Sequence, residues 1–322
     1  MKNIIYMQSA QALGTKLELQ IAAPDKSSAE KLFIILWQKV ENFQNKFSRF
    51  LTTSELTIFN SKAGKKVKVS KEFHDILKKT KELAIASDGL FNPFILPSLN
   101  RVGYITSFSS GGERLSTIDY STRVLESSSK LEIGKDWAKI PSNTAIDLGG
   151  IGKGYLADKL ADTLDFMAMP EYCLSIGGDI IAKSSKTNKQ KIKIQSLVDP
   201  DRTVGKYISV DHKFAVATSG LSRHKNNKTQ YHLIDPRTGN PAKSKYQMCS
   251  VAASDTTTAD VMASCVLIGG ENFAKKILSK SIVKGILLQS KNERNGVMLM
   301  GSGFRISRTY KNIAKINEVE HA

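Results

Sequence analysis

The pattern of apolar and polar positions predicts strands and helices mixed without a strict repeat. Residues 3–23 alternate around Gly14-Thr15 and predict an opening strand pair, with Lys16-Leu17-Glu18-Leu19-Gln20-Ile21 as a half-buried strand. The period then becomes helical. Ser27-Ser28-Ala29-Glu30 reads as a capping box, and the helix it opens carries Leu32, Leu36, Val40, Phe43 and Phe47 on one face. Residues 54–60 predict a short helix or turn. A further helix starts at Ser70, buries Phe73, Ile76, Leu77, Leu83 and Ala84, and ends at Ser87-Asp88-Gly89. Proline fixes the apolar loop Leu90-Phe91-Asn92-Pro93-Phe94 that follows. Residues 105–130, polar and rich in Ser and Gly, read as a surface excursion, and residues 131–141 as a hairpin.

Four glycines within six residues mark the centre of the chain, Asp147-Leu148-Gly149-Gly150-Ile151-Gly152-Lys153-Gly154-Tyr155. The β-branched lead-in Thr144-Ala145-Ile146 predicts a strand, and Leu156, Leu160 and Leu164 predict a helix beyond the glycines. A strand, tight loop and helix N-terminus with a lysine beside it suit a phosphate, because the free N–H groups and the helix dipole favour an anion. Gly152-Lys153-Gly154-Tyr155-Leu156-Ala157 also fits G-x-G-x-x-A. A glycine-rich turn needed only for packing fits the same residues.

Further strands are expected at residues 172–176, 191–197, 214–218, 231–235, 247–253 and 285–289, with a closing hairpin after the last. Helices are expected at 257–268 and 271–279, divided by Gly269-Gly270. Strands and helices do not alternate as β-α-β units, so the expected class is α+β, with mixed or antiparallel sheets packed with helices, in one domain over residues 1–322.

No apolar run approaches the ~20 residues of a membrane span, and the N-terminus lacks the apolar core of a secretory signal, so a cytoplasmic location is expected. Cys173, Cys249 and Cys265 are odd in number, widely spaced and set in apolar surroundings, which predicts reduced core thiols. The formal net charge of +17 allows acidic or phosphorylated ligands. The densest basic run, Lys183 to Lys193, has five lysines and no interleaved aromatic residue. It reads as a solvated hairpin, and no nucleic-acid partner is expected.

Asp260 and Ser264 lie one helical turn apart with Ala263 beside them. A carboxylate, a hydroxyl and nearby carbonyl oxygens suit Mg²⁺ or Ca²⁺ better than Zn²⁺. An aspartate in a first turn equally compensates the helix dipole. His232 sits on a strand beside a turn, where a histidine is more often structural than catalytic. Asp147 can accept from a ligand's polar edge or cap the N–H groups of its own loop.

Five ordered blocks change the balance: Asp147-Leu-Gly-Gly-Ile-Gly-Lys-Gly-Tyr155, Ser175-Ile-Gly-Gly178, Ala217-Thr-Ser-Gly220, His232-Leu-Ile-Asp-Pro-Arg-Thr-Gly239 and Thr257-Thr-Ala-Asp260. Together with Leu13-Gly14-Thr15 and Asp88-Gly89-Leu90-Phe91-Asn92-Pro93, this set resembles the FAD:protein FMN transferase family of the ApbE type. The resemblance implies an α+β enzyme that cleaves FAD with Mg²⁺, releases AMP and joins FMN through a phosphoester to a Thr or Ser of an acceptor flavoprotein. The alternative is a protein that binds FAD, or hydrolyses it to FMN and AMP, without transfer. The resemblance puts metal ligands at Gly150 (carbonyl), Asp260, Ala263 (carbonyl) and Ser264, and flavin contacts at Leu13, Phe50, Leu90, Phe91, Asn92, Asp147, Lys153 and Ile234. It makes His232 the general base. The chain departs from the family pattern at Leu13 (usually Met), Asn92 (Asp), Val102-Gly103 (Trp-Gly), Leu221 (acidic) and Ser264 (Thr), mostly on the flavin and acceptor side.

Overall fold

The computed structural model describes residues 3–104, 120–184, 190–199, 201–225, 228–290, 296–307, 310 and 314–317. Most of the expected excursion, residues 105–119, lies outside these.

The chain opens with the hairpin β1 (Ile4–Ala12) and β2 (Thr15–Ala23). It continues through α1 (Lys26–Phe47), α2 (Glu55–Ser61), the two-residue strand β3 (Val67–Lys68) and α3 (Lys71–Ala86). A 3-10 turn (Pro93–Ile95) and α4 (Leu96–Arg101) precede β4 (Glu132–Ile133), β5 (Trp137–Lys139) and α5 (Gly152–Phe166). Next come β6 (Tyr172–Ile176), β7 (Asp179–Lys183), β8 (Lys191–Gln195), β9 (Thr203–Ile208) and β10 (Lys213–Gly220). The short pairs β11 (Ser222–Lys225) with β12 (Lys228–Tyr231) and β13 (Ile234–Asp235) with β14 (Asn240–Pro241) lead to β15 (Met248–Ala253) and α6 (Thr256–Ser279). The described chain closes with β16 (Gly285–Gln289), β17 (Val297–Gly301), β18 (Phe304–Ile306) and β19 (Ala314–Asn317).

One sheet runs β1-β2-β6-β7-β10-β15-β16-β17-β19 and is antiparallel except for the parallel β17–β19 pair. Its two faces bury different layers, and β10 shows why through the two-residue period of a strand. Ala215 and Ala217 join the core under the helices, with Leu36 and Phe43 of α1, Leu160 of α5 and Val266 of α6. Phe214 and Val216 point to the other face, where the small sheet β18-β9-β8 covers them with Tyr207, Ile192 and Phe304. The small alanines let α6 lie close on the sheet; the large residues fill the opposite layer. The molecule is therefore α+β, as its pattern predicts, with helices on one face and a small sheet on the other.

Several local expectations are corrected. The cap of α1 is Asp25, whose Oδ1 accepts from the Ser28 N–H at 2.8 Å, and Phe33 rather than Leu32 is the fully buried residue of its first turns. Residues 144–146 form no strand. They are buried, and the Asn60 side-chain amide replaces a strand partner by bonding both the Ile146 N–H and C=O at 2.9 Å. At the two ends of the run from Lys183 to Lys193, β7 pairs with β6 and β10 and β8 pairs with β9, not with each other; residues 185–189 of the expected hairpin lie outside the described residues. After β17 the chain leaves the main sheet, since β18 pairs with β9. Gly270 alone breaks the long last helix, with φ 71° and ψ −163°, a backbone that glycine adopts without a Cβ penalty.

Candidate active site

In the antiparallel sheet the β1–β2 turn, the β6–β7 turn and the C-terminal end of β10 come to the same end. There they border a cleft of about 680 Å³. The loop after α3, the glycine segment before α5, residues 232–234 and the first half of α6 complete the wall. The Asp158 carboxylate of α5 fixes that helix against the start of α6. Asp158 accepts from the Thr256 and Thr257 N–H groups, both at 2.8 Å, and Asp255 caps α6 by accepting from the Thr258 N–H at 2.8 Å. The helices touch where Gly154 faces Thr256 and Thr257: a Cβ there would lie 2.6 Å from the Thr256 carbonyl oxygen.

This crossing puts Lys153 of α5 beside Asp260 of α6. The Lys153 ammonium donates to Asp260 Oδ1 and Oδ2 at 3.1 and 3.2 Å and also bonds Asp179 at the start of β7. Asp260 Oδ2 in addition accepts from the Gly154 N–H at 3.1 Å. The anion at the N-terminus of α5 is thus a protein carboxylate, and the lysine is held from two sides rather than mobile. Asp179 is fully buried, and its Oδ1 accepts from the Thr218 N–H at 3.2 Å. Burial, reinforced by the negative charge of Asp260, pushes its carboxyl above the usual range, and Lys153 opposes that rise. One turn beyond Asp260, the Ser264 hydroxyl lies 2.8 Å from that of Ser219.

On the other wall, Asp147 pairs with Arg49 (Nε–Oδ1 3.3 Å), and Oδ2 accepts from the Gly149 N–H at 2.8 Å. Asp147 therefore caps its own loop and still lines the cleft, where a carboxylate retains lone pairs for a ligand. The Arg49 guanidinium stacks between the rings of Phe50 and Tyr104, 4.6 Å from each. Asn92 holds its loop by accepting from the Phe94 N–H and donating to the Glu126 carbonyl.

Of the residues singled out from the sequence, Leu90, Phe91, Asn92, Asp147, Gly150, Lys153, His232, Ile234, Asp260 and Ser264 all border the cleft. Leu13 sits at positive φ (53°) on the β1–β2 turn, its N–H bound to Gln44 Oε1 at 2.7 Å, next to the lining residue Gly14. Phe50 lies half-buried behind Arg49, and Ala263 is fully buried in α6. Cys265 also borders the cleft, but burial pushes its thiol up to about 12, and the three cysteines are free. Asp179 and Arg49 were not among the candidates. Asp179 had a legible signal, a carboxylate directly after a glycine pair between two apolar strands; Arg49 had none.

Oxygen donors of the kind a hard cation takes border the cleft, the buried Asp260 carboxylate and the Ser264 and Ser219 hydroxyls. Among the described residues no three His, Cys, Asp or Glu side chains cluster as a metal site, so a cation here would draw on hydroxyl, carbonyl or ligand oxygens besides the carboxylates.

Fold and cleft together define a class: α+β proteins that collect an oxygen-rich, lysine-bearing cleft at one end of a mainly antiparallel sheet. The family model described as the ApbE family matches residues 13–287, and the chain belongs to that family. A curated relative from Klebsiella pneumoniae (strain 342), named FAD:protein FMN transferase, is 22% identical over 268 residues, 80% of this chain and 81% of that one. Relatives of the same name from two Buchnera aphidicola subspecies are 33% and 32% identical, over 41% and 46% of this chain; the aligned parts span 40% and 44% of their own lengths. Among solved structures, the ApbE protein of Thermotoga maritima superposes with a TM-score of 0.77 at 20% identity, over 96% of this chain and 99% of that one. The flavin transferase ApbE from Vibrio cholerae gives 0.73 at 22% identity, over 96% and 99%. At these identities the superpositions show the shared fold.

Proposed function

We propose that this chain is a Mg²⁺-dependent FAD:protein FMN transferase carried on one domain. The observation that carries the reading is the meeting of Lys153, Asp260, Ser264 and His232 on one cleft in a chain of the ApbE family. The apolar wall of Leu90, Phe91 and Ile234, with Leu13 and Phe50 nearby, suits a flavin ring, and Asn92 and Asp147 offer polar partners at its edge. Lys153 and the N-terminal end of α5 offer positive charge to a pyrophosphate. In the reaction, the acceptor hydroxyl attacks the phosphorus on the FMN side, its proton passes to His232, and the bond to the AMP oxygen breaks, so that AMP leaves. Mg²⁺ held by Asp260, Ser264 and the Gly150 and Ala263 carbonyls would neutralise charge on the phosphate oxygens. The three free thiols support a reducing, cytoplasmic setting. Among the described residues no helix is long and apolar enough to cross a membrane.

The test follows AMP and free FMN by chromatography, with FAD and Mg²⁺, with and without an FMN-binding flavoprotein domain carrying an acceptor Thr. AMP released with the acceptor, unmatched by free FMN and suppressed by EDTA, is expected. Equal AMP and free FMN whether or not the acceptor is present would make the protein a pyrophosphatase instead.

A further inference from the structure

Lys153 lies between two buried carboxylates, Asp179 and Asp260. The two differ in what else they can do. Asp260 borders the cleft and stands one turn from the Ser264 hydroxyl, whereas Asp179 is wholly buried and tied to the Thr218 N–H. An ammonium and a divalent cation on one carboxylate repel each other strongly where water is excluded. A cation arriving at Asp260 therefore has to displace Lys153 from it. Asp179 cannot follow into solvent, and a buried carboxylate without a partner is costly.

We infer that Lys153 is the built-in counterion that a divalent cation displaces from Asp260, and that Asp179 is the positioning residue that keeps the displaced ammonium in the cleft. The inference rests on the assignment of Asp260 as a metal ligand. Lys153 would then turn from neutralising a carboxylate to facing the phosphates once the cation is in place. The same movement couples metal binding to the arrangement of the FAD site.

The test is Mn²⁺ binding without FAD, read from the free-ion electron paramagnetic resonance signal, in the full chain and in Asp260→Asn, Asp179→Asn, Lys153→Met and the Asp179→Asn/Lys153→Met double variant. Lys153→Met is expected to tighten Mn²⁺ binding. Asp179→Asn is expected to weaken it about 10-fold when Lys153 is present and by less than about 3-fold in the Lys153→Met background, a non-additivity that marks coupled side chains. An equal loss in both backgrounds would overturn the inference, since Asp179 would then act as a ligand or only through its charge. Should Asp179→Asn fail to fold, Lys153→Met decides alone: unchanged or weaker Mn²⁺ binding overturns the displacement, and tighter binding upholds it. If Asp260→Asn binds Mn²⁺ as the unmodified chain does, the metal assignment falls; if it abolishes binding while the non-additivity is missing, only the counterion exchange falls.

Discussion

His232 and Asp147 show what a residue can and cannot disclose before folding. In the sequence the residues around His232 favour a structural histidine, and Asp147 reads either as a ligand contact or as a cap of its own loop. The structure puts both on the cleft, and it gives Asp147 the two roles at once, loop cap and cleft carboxylate. For His232 the roles separate in kinetics. His232→Ala is expected to lower kcat for FMN transfer by about 10²-fold or more, as removal of a general base does, while the dissociation constant for FAD changes less than about 3-fold. Parallel loss of both would return the histidine to a structural role. Asp179 was passed over because its importance depends on burial and on a lysine 26 positions earlier in the chain. Its place directly after Gly177-Gly178 is legible in the sequence; its contact with Lys153 is not.

At the scale of elements, helix periodicity and glycine signals are legible in the sequence, and boundaries that depend on distant partners are not. Residues 144–146 look like a strand because Thr144 and Ile146 are β-branched and Ala145 and Ile146 apolar, yet an asparagine from α2 supplies the hydrogen bonds that a strand would have supplied. The glycines before α5 have a packing role as well as a site role. Gly154→Ala would bring a Cβ within 2.8 Å of Thr257 Cα, backbone that cannot rotate away. A cost of roughly 1–3 kcal/mol is expected, with a lower Tm and reduced FAD turnover, because Lys153 and Asp260 ride on the two helices forced apart. A Tm equal to that of the unmodified chain would show that α5 shifts freely. The break in α6 gives a pH test. Glu271, just beyond Gly270, pairs with Lys245 and accepts from the Tyr246 hydroxyl at 2.7 Å, contacts that hold its carboxyl below the usual 4.5. A depressed folded-state pKa gives stability that is present at neutral pH and lost as the pH falls through that value. Glu271→Gln is expected to lower Tm by about 1–2 °C at pH 7, the scale of a partly exposed pair, with the difference shrinking as acid protonates the carboxylate. A difference that does not shrink as the pH is lowered would mean that the glutamate acts by packing rather than by charge.

The whole molecule gathers residues from position 11 to position 268 around a cleft at one end of the nine-stranded sheet. That distribution is why the fold class was legible from pattern while the site needed the ordered set of motifs. The β1–β2 turn at Gly14, the β6–β7 turn at Gly177-Gly178 and the end of β10 at Gly220 lie at the same sheet end, and only the pairing β1-β2-β6-β7-β10 makes them neighbours. The central claim is that this end of the molecule moves FMN from FAD onto a protein. The most direct measurement is the intact mass of a purified FMN-binding flavoprotein domain with an acceptor Thr after incubation with this chain, FAD and Mg²⁺. A gain of one FMN phosphoester on the acceptor, absent with EDTA and absent with Asp260→Asn, is the expected result. An acceptor of unchanged mass, with FAD intact or merely split into FMN and AMP, would contradict it.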